Sequence, residues 1–338
     1  MIAGLDIGGT KCAVVLGKER EAECPELVYR KEIPTRGSSG DILAALTEEL
    51  KKQCPLSEIE GVGISCGGPL DAERGIVLSP PNLPDWREVP VTKLVTERTG
   101  APSYLQNDAD ACALAEWKYG AGRGASNVIF LTFGTGLGAG LILDGKLYIG
   151  ACGRAGEAGH VRLEKFGPVG YGKAGSFEGF CSGGGIAQYV SARVMEARQR
   201  GETLDFPWEC GVSGAKDLGQ AAEAGSLAAR RIWEEIGEYF GRGLAILCDI
   251  LNPERIVAGG VYMRSGKWMQ EGIRQISHGG TGRKPIEPTA PAQLIPLPHS
   301  LPPPERMRRT TDRTMYNRYP LPQSSCDIRC QRSATAPV

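Results

Sequence analysis

The stretch "GLDIGGTK", residues 4–11, decides how the rest of this sequence is interpreted. Its acidic residue, Asp6, lies between apolar residues typical of a strand and a Gly-Gly-Thr-Lys turn. One interpretation is a tight hairpin, because glycine adopts backbone conformations that other residues resist and Asp is common at turns. The other is a phosphate loop, in which backbone N–H groups face an anion and the carboxylate orients a magnesium ion. This stretch alone leaves both interpretations open.

Length and composition predict an ordinary globular protein. The chain has 338 residues, enough for two domains, and 41% of them are hydrophobic. Its 39 basic and 39 acidic side chains cancel, so charge gives no reason to expect nucleic acid as a main partner. We see no secretory signal, and no apolar run approaches the roughly 18 residues of a membrane span. We therefore expect no membrane association.

The cysteines indicate a reducing compartment. There are 11 of them, an odd number, and none forms a C-x-x-C pair. We expect a cytoplasmic protein in which most cysteines are small buried hydrophobic residues.

The opening pattern of strand, glycine-rich turn and strand returns in "NVIFLTFGTGLGAGLILDGKLY", residues 127–148. Two such units predict two related α/β domains that face each other. We expect an N-terminal domain over residues 1–118 and a C-terminal domain over residues 119–278. The glycines fit neither G-x-G-x-x-G nor G-x-x-x-x-G-K-[ST], so a phosphate site must be built from hairpin turns.

Periodicity predicts the main elements between these units. Helical patterns cover residues 40–53, 107–122 and 225–252, and strand patterns cover residues 59–68 and 255–261.

Four segments together resemble the ROK family (repressors, open reading frames, kinases), and its bacterial glucokinase-like members in particular. They are "DIGGTK", "NDADACALAEWKYGAG", "FGTGLGAGLILDGKLYIGACGRAGEAGH" and "LNPERIVAGGV". The resemblance covers roughly residues 1–270 and favours the phosphate loop. It implies an actin/hexokinase-like (ribonuclease H-like) α/β fold with duplicated domains and an interdomain cleft. It also implies an ATP-dependent sugar kinase that phosphorylates glucose or a related hexose at its primary hydroxyl.

The resemblance implies a site for ATP and Mg²⁺. Asp6 would face the magnesium ion, through water. The residues around the β- and γ-phosphates would be Gly8, Gly9, Thr10 and Lys11, with an opposing turn of Gly134, Thr135 and Gly136. Gly259 and Gly260 would pack on the adenine side. An ordinary turn at a strand end is the alternative for this last pair.

The resemblance also implies a sugar site. Asp108 would be the catalytic base that takes the proton from the attacking hydroxyl. Helix capping is the alternative for Asn107 and Asp108, since both are good N-cap residues. The sugar ligands would be Asn107, Asp108, Glu157, His160 and Glu178. A lone histidine is more often structural, but the position of His160 in "GEAGH" favours the site.

The sequence departs from the family pattern in a loop that commonly binds a structural zinc. The family places cysteines there in a C-x-C-G-x-x-G-C-x-E arrangement, which bind zinc together with the histidine. Aligned on Glu178, the three cysteine positions hold Val169, Tyr171 and Ser176. None of these replaces a thiolate, and Cys152 and Cys181 fall off the spacing. We therefore expect no zinc site.

A second departure begins at about residue 279. The family usually ends in a helix, whereas residues 279–338 are rich in Pro, Arg, Thr and Ser and contain nearly half of the 23 prolines. This composition predicts a disordered or poorly packed tail. A shifted reading frame after "MQEGIRQ" is one explanation, and a genuine extension is the other.

Two other functions compete with a kinase. A sugar-responsive repressor would need a DNA-binding helix-turn-helix ahead of the phosphate strand, and a strand that starts at Ile2 leaves no room for one. A degenerate, non-catalytic sugar-binding protein fits the missing cysteines. The sequence does not specify which hexose binds, and the resemblance suggests a homodimer.

Overall fold

A five-stranded mixed sheet organises the first part of the chain. The computed structural model describes residues 1–18 and 25–277. The elements up to residue 119 are β1 (Ile2–Ile7), β2 (Lys11–Lys18), β3 (Glu26–Pro34), α1 (Ser39–Gln53), β4 (Gly61–Cys66), β5 (Leu70–Asp71), β6 (Ile76–Val77), α2 (Val91–Thr99), β7 (Ser103–Asn107) and α3 (Asp108–Tyr119).

The strand order β3-β2-β1-β4-β7 brings three parallel strands side by side. β1 and β2 form the predicted antiparallel hairpin, and β4 and β7 run parallel to β1. The carboxyl ends of parallel strands meet at one edge of a sheet, where α/β proteins place their sites. Asp6 near the end of β1 and Asn107 at the end of β7 therefore lie at the same edge.

Alternation along the strands sends apolar side chains to one face of this sheet. Leu5, Ile7 and Ile64 are buried there against Leu43 and Leu46 of α1. Asp6 points to the opposite face, which also carries the buried residues Val15 and Ser65. Asp6 itself is half-buried at the end of that face.

A four-stranded sheet organises the rest of the described chain. Its elements and the helices around it are β8 (Val128–Phe133), β9 (Leu137–Leu143), β10 (Lys146–Leu147), β11 (Val169–Gly170), β12 (Lys173–Ala174), α4 (Phe177–Phe180), α5 (Gly183–Gln199), α6 (Ala215–Glu223), α7 (Leu227–Leu251), β13 (Arg255–Ala258) and α8 (Val261–Ser277). The strand order is β10-β9-β8-β13.

The second sheet repeats the topology of the first. β8 and β9 form an antiparallel hairpin, and β13 runs parallel to β8 on its other side. The hairpin of β1 and β2 with parallel β4 has the same arrangement. The predicted duplication of the strand, turn and strand unit is confirmed.

Helix α3 connects the two sheets. It follows β7 directly, yet its Ala113 is buried in one cluster with Val128 and Ile142 of the second sheet. Gly140 on β9 permits this approach, because a Cβ there would lie 2.4 Å from the carbonyl oxygen of Ala109. Residues at the start of α3 are therefore held by both sheets. The predicted boundary near residue 118 stays a prediction.

Eight cysteines lie in the described part of the chain, and all are free thiols. Three are buried, three are half-buried, and Cys152 and Cys210 are exposed. None of the described helices is both long and apolar enough to cross a bilayer. The predictions about residues 279–338 lie outside the described residues.

Candidate active site

Asp6 and Asp108 share one region at the carboxyl edge of the first sheet. Cys66, the last residue of β4, pairs in register with Ile7 and Asn107. Burial, with a smaller contribution from the negative charges of Asp108 and Asp6, raises the pKa of its thiol to about 12. Burial and the same two carboxylates also raise the pKa of Cys112, on α3. Both carboxylates are therefore close enough to act on a thiol at the end of β4 and on another in α3.

The carboxylate of Asp6 at this edge is a suitable group to face a magnesium ion. Mg²⁺ is usually held by one or two carboxylates, several waters and substrate phosphates rather than by a full set of protein ligands. Asp6 is half-buried and Asp108 is exposed, so oxygens are present at a surface that solvent reaches. Among residues 1–18 and 25–277, no group of three His, Cys, Asp or Glu side chains could hold a metal ion.

The first glycine loop is close-packed. Neither Gly8 nor Gly9 has a positive φ. A Cβ at Gly9 would lie 2.5 Å from the carbonyl oxygen of Asn82, and one at Gly8 would lie 2.7 Å from that of Lys11. Thr35 fixes the loop by donating its hydroxyl to the carbonyl oxygen of Gly8 at 2.6 Å. Close backbone approach, and not unusual dihedral angles, therefore requires glycine in this loop.

Thr10 and Lys11 complete this loop and are exposed. The ammonium group of Lys11 donates to Glu32 on β3 at 2.7 Å. Lys11 must leave this exposed ion pair if it is to reach a phosphate.

The second glycine turn, residues 134–136, lies where two long helices begin. The N–H of Gly183, at the start of α5, donates to the carbonyl oxygen of Gly134 at 2.8 Å. Gly260, with φ of 65°, precedes α8, and a Cβ there would lie 2.1 Å from the carbonyl oxygen of Phe133. The structure thus brings together residues 134–136 and the glycine pair 259–260. Helix N-termini attract anions, so this region is suited to phosphate groups.

Two residues near the glycine loops were missed by the sequence reasoning. Gly183 opens α5 next to Gly134, and the signal was "SGGG", an N-cap serine followed by three glycines. Asn82 packs on Gly9, and its amide Nδ2 would lie 3.9 Å from a Cβ at Gly67. Its signal was a lone asparagine among prolines, which local patterns identify only as a loop.

Asn107 caps α3, as the alternative interpretation held. Its Oδ1 accepts hydrogen bonds from the N–H groups of Ala109 at 3.0 Å and Asp110 at 3.4 Å. Its Nδ2 lies near Gly68, where a Cβ would be 3.7 Å away. Capping uses the oxygen of this amide, so the nitrogen can still serve a ligand. Asp108 begins the helix, and its Oδ1 accepts from the N–H of Ala109 at 2.8 Å.

Glu157, His160 and Glu178 are neighbours beside the second glycine turn. The Nε2 of His160 lies 3.9 Å from Oε2 of Glu157. Glu178 accepts a hydrogen bond from the N–H of Leu137 at 2.9 Å. A Cβ at Gly159 would lie 3.1 Å from the Cβ of Glu178. The three side chains therefore lie on two adjoining short segments.

Asp110 connects this group to α3. Burial raises the pKa of its carboxyl to about 6, with smaller contributions from a hydrogen bond from Gln106 that lowers it and the charges of Asp108 and Glu157 that raise it. The side chain of Gln106 donates to Asp110 at 3.0 Å. Glu157 therefore lies within electrostatic reach of the first turn of α3, where Asp108 is located.

The structure shows what occupies the three positions where the family commonly has zinc-binding cysteines. Val169 and Tyr171 lie in the hairpin of β11 and β12, and Ser176 is buried as the N-cap of α4. The hydroxyl of Ser176 accepts from the N–H of Gly179 at 3.0 Å. None of these side chains is a zinc ligand of the thiolate type. The residues present do not fit a zinc ion, and its absence from the protein remains a prediction.

These two duplicated sheets, with Asp6 and Asp108 at a strand edge and two glycine turns, define an actin/hexokinase-like fold. The sequence profile of the ROK family matches residues 2–290. The chain belongs to the ROK family.

Relatives in this family include both enzymes and regulators. The chain is 33% identical over 281 residues to a glucokinase from Halalkalibacterium halodurans, covering 80% of this chain and 83% of the relative. It is 34% identical over 240 residues to a xylose repressor from Caldicellulosiruptor bescii, covering 70% of this chain and 59% of the repressor. Among solved structures it resembles a ROK family glucokinase from Streptomyces griseus in complex with glucose and AMPPNP. That match has a TM-score of 0.69 and 30% identity, and covers 86% of this chain and 94% of the other.

Proposed function

We propose that the protein is an ATP-dependent kinase that phosphorylates the primary hydroxyl of a hexose, glucose or a close relative. The observation that carries this proposal is the register of the parallel strands β1, β4 and β7, which places Asp6 and Asp108 at one edge of the first sheet. Phosphoryl transfer requires positioned phosphates, a metal-facing carboxylate and a base near the attacking hydroxyl. The glucokinase relatives support the same reaction.

In this mechanism Asp108 is the general base. Its carboxylate accepts the proton of the sugar hydroxyl while that oxygen forms a bond to the γ-phosphorus and the bond to the leaving ADP oxygen breaks. The position of Asp108 in the first turn of α3 stabilises its anion, because the helix N-terminus is electropositive. Asp6 would hold a Mg²⁺ ion, which would supply positive charge against the phosphates.

The glycine turns hold the phosphates in this proposal. Gly8 and Gly9, with Thr10 and Lys11, contact the β- and γ-phosphates from the first sheet. Residues 134–136 contact them from the second sheet, beside the start of α5. The pair Gly259 and Gly260 lies on the adenine side.

In this proposal the polar side chains beside Asp108 bind the sugar. The carboxylates of Glu157 and Glu178 accept hydrogen bonds from vicinal hydroxyls, and His160 and Asn107 add further polar contacts. Glu178 is already fixed by the N–H of Leu137, so one carboxylate orientation is set before a sugar arrives. Such preorganisation favours one pattern of hydroxyls over another.

A non-catalytic sugar-binding protein is the second candidate. The similarity to the xylose repressor supports it, as do the residues that replace the zinc ligands. In that case sugar would bind beside Asp108 without phosphoryl transfer.

A sugar screen separates the two candidates. Purified protein is incubated with ATP, Mg²⁺ and, in turn, glucose, mannose, fructose, N-acetylglucosamine and N-acetylmannosamine, with ADP release and sugar phosphate both measured. We expect one of these hexoses to be phosphorylated. Binding of a sugar by calorimetry with no sugar phosphate formed would favour the non-catalytic candidate.

Asp108→Asn tests the base directly. We expect kcat to fall at least ~10²-fold while the KM for sugar changes little, because the amide cannot take the proton. Asp144→Asn, the same substitution in the turn between β9 and β10, is the matched control and should retain full activity. Near-normal turnover in a folded Asp108→Asn protein would remove Asp108 from the mechanism.

A further inference from the structure

The hairpin of residues 169–174 contacts both segments that carry proposed sugar ligands. The ammonium group of Lys173 donates to the carbonyl oxygen of His160 at 2.7 Å. On the other side, Gly170 packs against α4, where a Cβ would lie 2.8 Å from the Cβ of Glu178. The hairpin therefore fixes the relative position of His160 and Glu178.

The ring of Tyr171 stacks on the imidazole of His160. Their centroids are 5.2 Å apart and their planes differ by 14°. Offset stacking of this kind restricts the plane in which a histidine ring can lie. Tyr171 thus acts on the side chain of His160, while Lys173 acts on its backbone.

The turn itself makes tyrosine an unusual residue at position 171. Tyr171 and Gly172 have φ of 44° and 75°, the signs of a type I′ hairpin turn. Asn, Asp and Gly are preferred at the first of these positions because a larger side chain is strained there. The tyrosine side chain is also largely exposed, so burial does not explain it. Its contact with His160 does.

Helix α5 secures the base of the hairpin. The N–H of Val169 donates to Oε1 of Gln188 at 2.9 Å, and Nε2 of Gln188 donates to the carbonyl oxygen of Val169 at 3.0 Å. This paired contact fixes Val169, which occupies the first of the three positions where the family commonly has a zinc-binding cysteine. Side-chain packing and hydrogen bonds hold all three positions.

We propose that Tyr171 and Lys173 are positioning residues that fix His160 for sugar binding without a metal ion. This proposal rests on the proposed sugar-binding role of His160. Stacking on Tyr171 sets the orientation of the imidazole, and the hydrogen bond from Lys173 sets the position of its backbone. Sugar affinity then depends on these two side chains and not on zinc.

The first test follows the histidine ring itself by NMR. The sequence contains three histidines, so His278→Gln and His299→Gln assign the His160 ring signals by elimination. We expect Tyr171→Leu to shift the His160 ring protons downfield, because the ring current of Tyr171 is lost, and Tyr171→Phe to leave them near their original positions. Phe166→Leu is the matched control, since that aromatic ring is exposed and is covered by the ammonium group of Lys165. An unchanged His160 signal in Tyr171→Leu would overturn the stacking role.

The second test compares KM with kcat for the sugar found in the screen. We expect Tyr171→Leu to raise the KM for sugar about two- to tenfold with kcat nearly unchanged, and Tyr171→Phe to restore it. Lys173→Met should also raise KM, with Lys173→Arg closer to the native value, which keeps the test decisive if Tyr171→Leu does not fold. Phe166→Leu should match the native protein. Unchanged KM in both Tyr171→Leu and Lys173→Met would overturn the proposal.

The third test is metal removal. Dialysis against EDTA, followed by assay in Mg²⁺ free of zinc, should leave the KM for sugar and the melting temperature unchanged. A KM that rises on EDTA treatment and returns with added ZnCl₂ would show that a metal, and not Tyr171, positions His160. If the screen finds no kinase activity, sugar titrations followed by the His160 signal measure Kd in place of KM. The proposed catalytic function can then fail while the positioning role is still tested.

Discussion

Asp110 shows at the scale of one residue how position changes the chemistry of a carboxyl. Two residues before it, Asp108 is exposed at the start of α3, whereas Asp110 is buried and hydrogen-bonded to Gln106. Burial raises the pKa of Asp110 from 3.8 to about 6. A buried carboxyl with a raised pKa lowers stability once it ionises.

The sign of this effect gives a prediction for Asp110→Asn in the absence of ligands. Below about pH 3 the carboxyl is protonated in both the folded and the unfolded chain, so it does not lower stability. Between about pH 4 and 6 the unfolded chain loses its proton first, so native stability falls as the pH rises. The amide cannot ionise and can still accept from Gln106. We expect the variant to equal the native protein at pH 3 and to exceed its free energy of unfolding by about 3 kcal/mol at pH 7.5.

Urea denaturation at several pH values measures this difference. Asp144→Asn, at an exposed turn, is the control and should show no pH-dependent gain. A variant less stable than the native protein at pH 7.5 would mean that the ionised carboxylate of Asp110 has a stabilising partner.

For single residues, the sequence predicted local roles better than contacts with residues far along the chain. Asn107 was predicted to be a site residue, with helix capping as the alternative, and the cap is present in the structure. The partner of Lys11 was not predicted, because Glu32 lies on β3, a strand that the sequence analysis did not find. The sequence also did not predict why residue 9 must be glycine, because the backbone that Gly9 contacts belongs to Asn82, far along the chain. Local patterns carry no information about such tertiary contacts.

Elements with strong periodicity and clear ends were predicted well. The helix expected over residues 225–252 is α7, which begins after the N-cap Ser226 and ends at Asn252, a residue with φ of 45°. Helix α5 was missed because it opens with three glycines, which are poor helix formers. Strand β3 was missed because it is a mostly exposed edge strand without a clean apolar alternation.

The contact between α7 and α8 depends on glycine. A Cβ at Gly237 of α7 would lie 2.3 Å from the carbonyl oxygen of Met269, and one at Gly272 of α8 would lie 2.1 Å from that of Glu234. Each helix therefore offers glycine where the other's backbone approaches. α8 follows Gly259 and Gly260 directly, so this contact also sets the position of the second glycine region.

Gly237→Ala should therefore destabilise the protein, although alanine is normally more favourable than glycine inside a helix. We expect the free energy of unfolding to fall by about 1–3 kcal/mol, because the added methyl group forces the helices apart. Displacement of α8 should also raise the KM for ATP. Gly40→Ala in α1 is the matched control: a Cβ there lies no nearer than 3.7 Å to Ser38, so this variant should be neutral or up to about 1 kcal/mol more stable. Equal stability of the two variants in urea denaturation would contradict this account.

At the scale of the whole molecule, the repeated topology distributes the proposed site over two sheets. Asp6, Gly8 and Gly9 belong to the first sheet. Glu157, Glu178 and residues 134–136 surround the second. Asp108 is at the start of a helix that packs on the second sheet after leaving the first. The sequence predicted this division from a repeated pattern of turns, because both glycine turns interrupt the same kind of hairpin.

This division predicts closure of the two domains when both ligands bind. In the proposed function, the first sheet offers the metal-facing carboxylate and one phosphate loop, and the second offers the sugar ligands and the other phosphate turn. Sugar and nucleotide bound together contact both sheets and draw them together, which excludes water that would otherwise accept the phosphate. Solution scattering measures this closure. With a non-hydrolysable ATP analogue and the hexose that the screen identifies as substrate, we expect a smaller radius of gyration than with no ligand. Galactitol, which has no ring to match the sugar site, is the control and should leave the scattering unchanged. A profile that stays the same at saturating sugar and nucleotide would mean that the cleft is already closed, and the split of the site over two sheets would then have no role in excluding water.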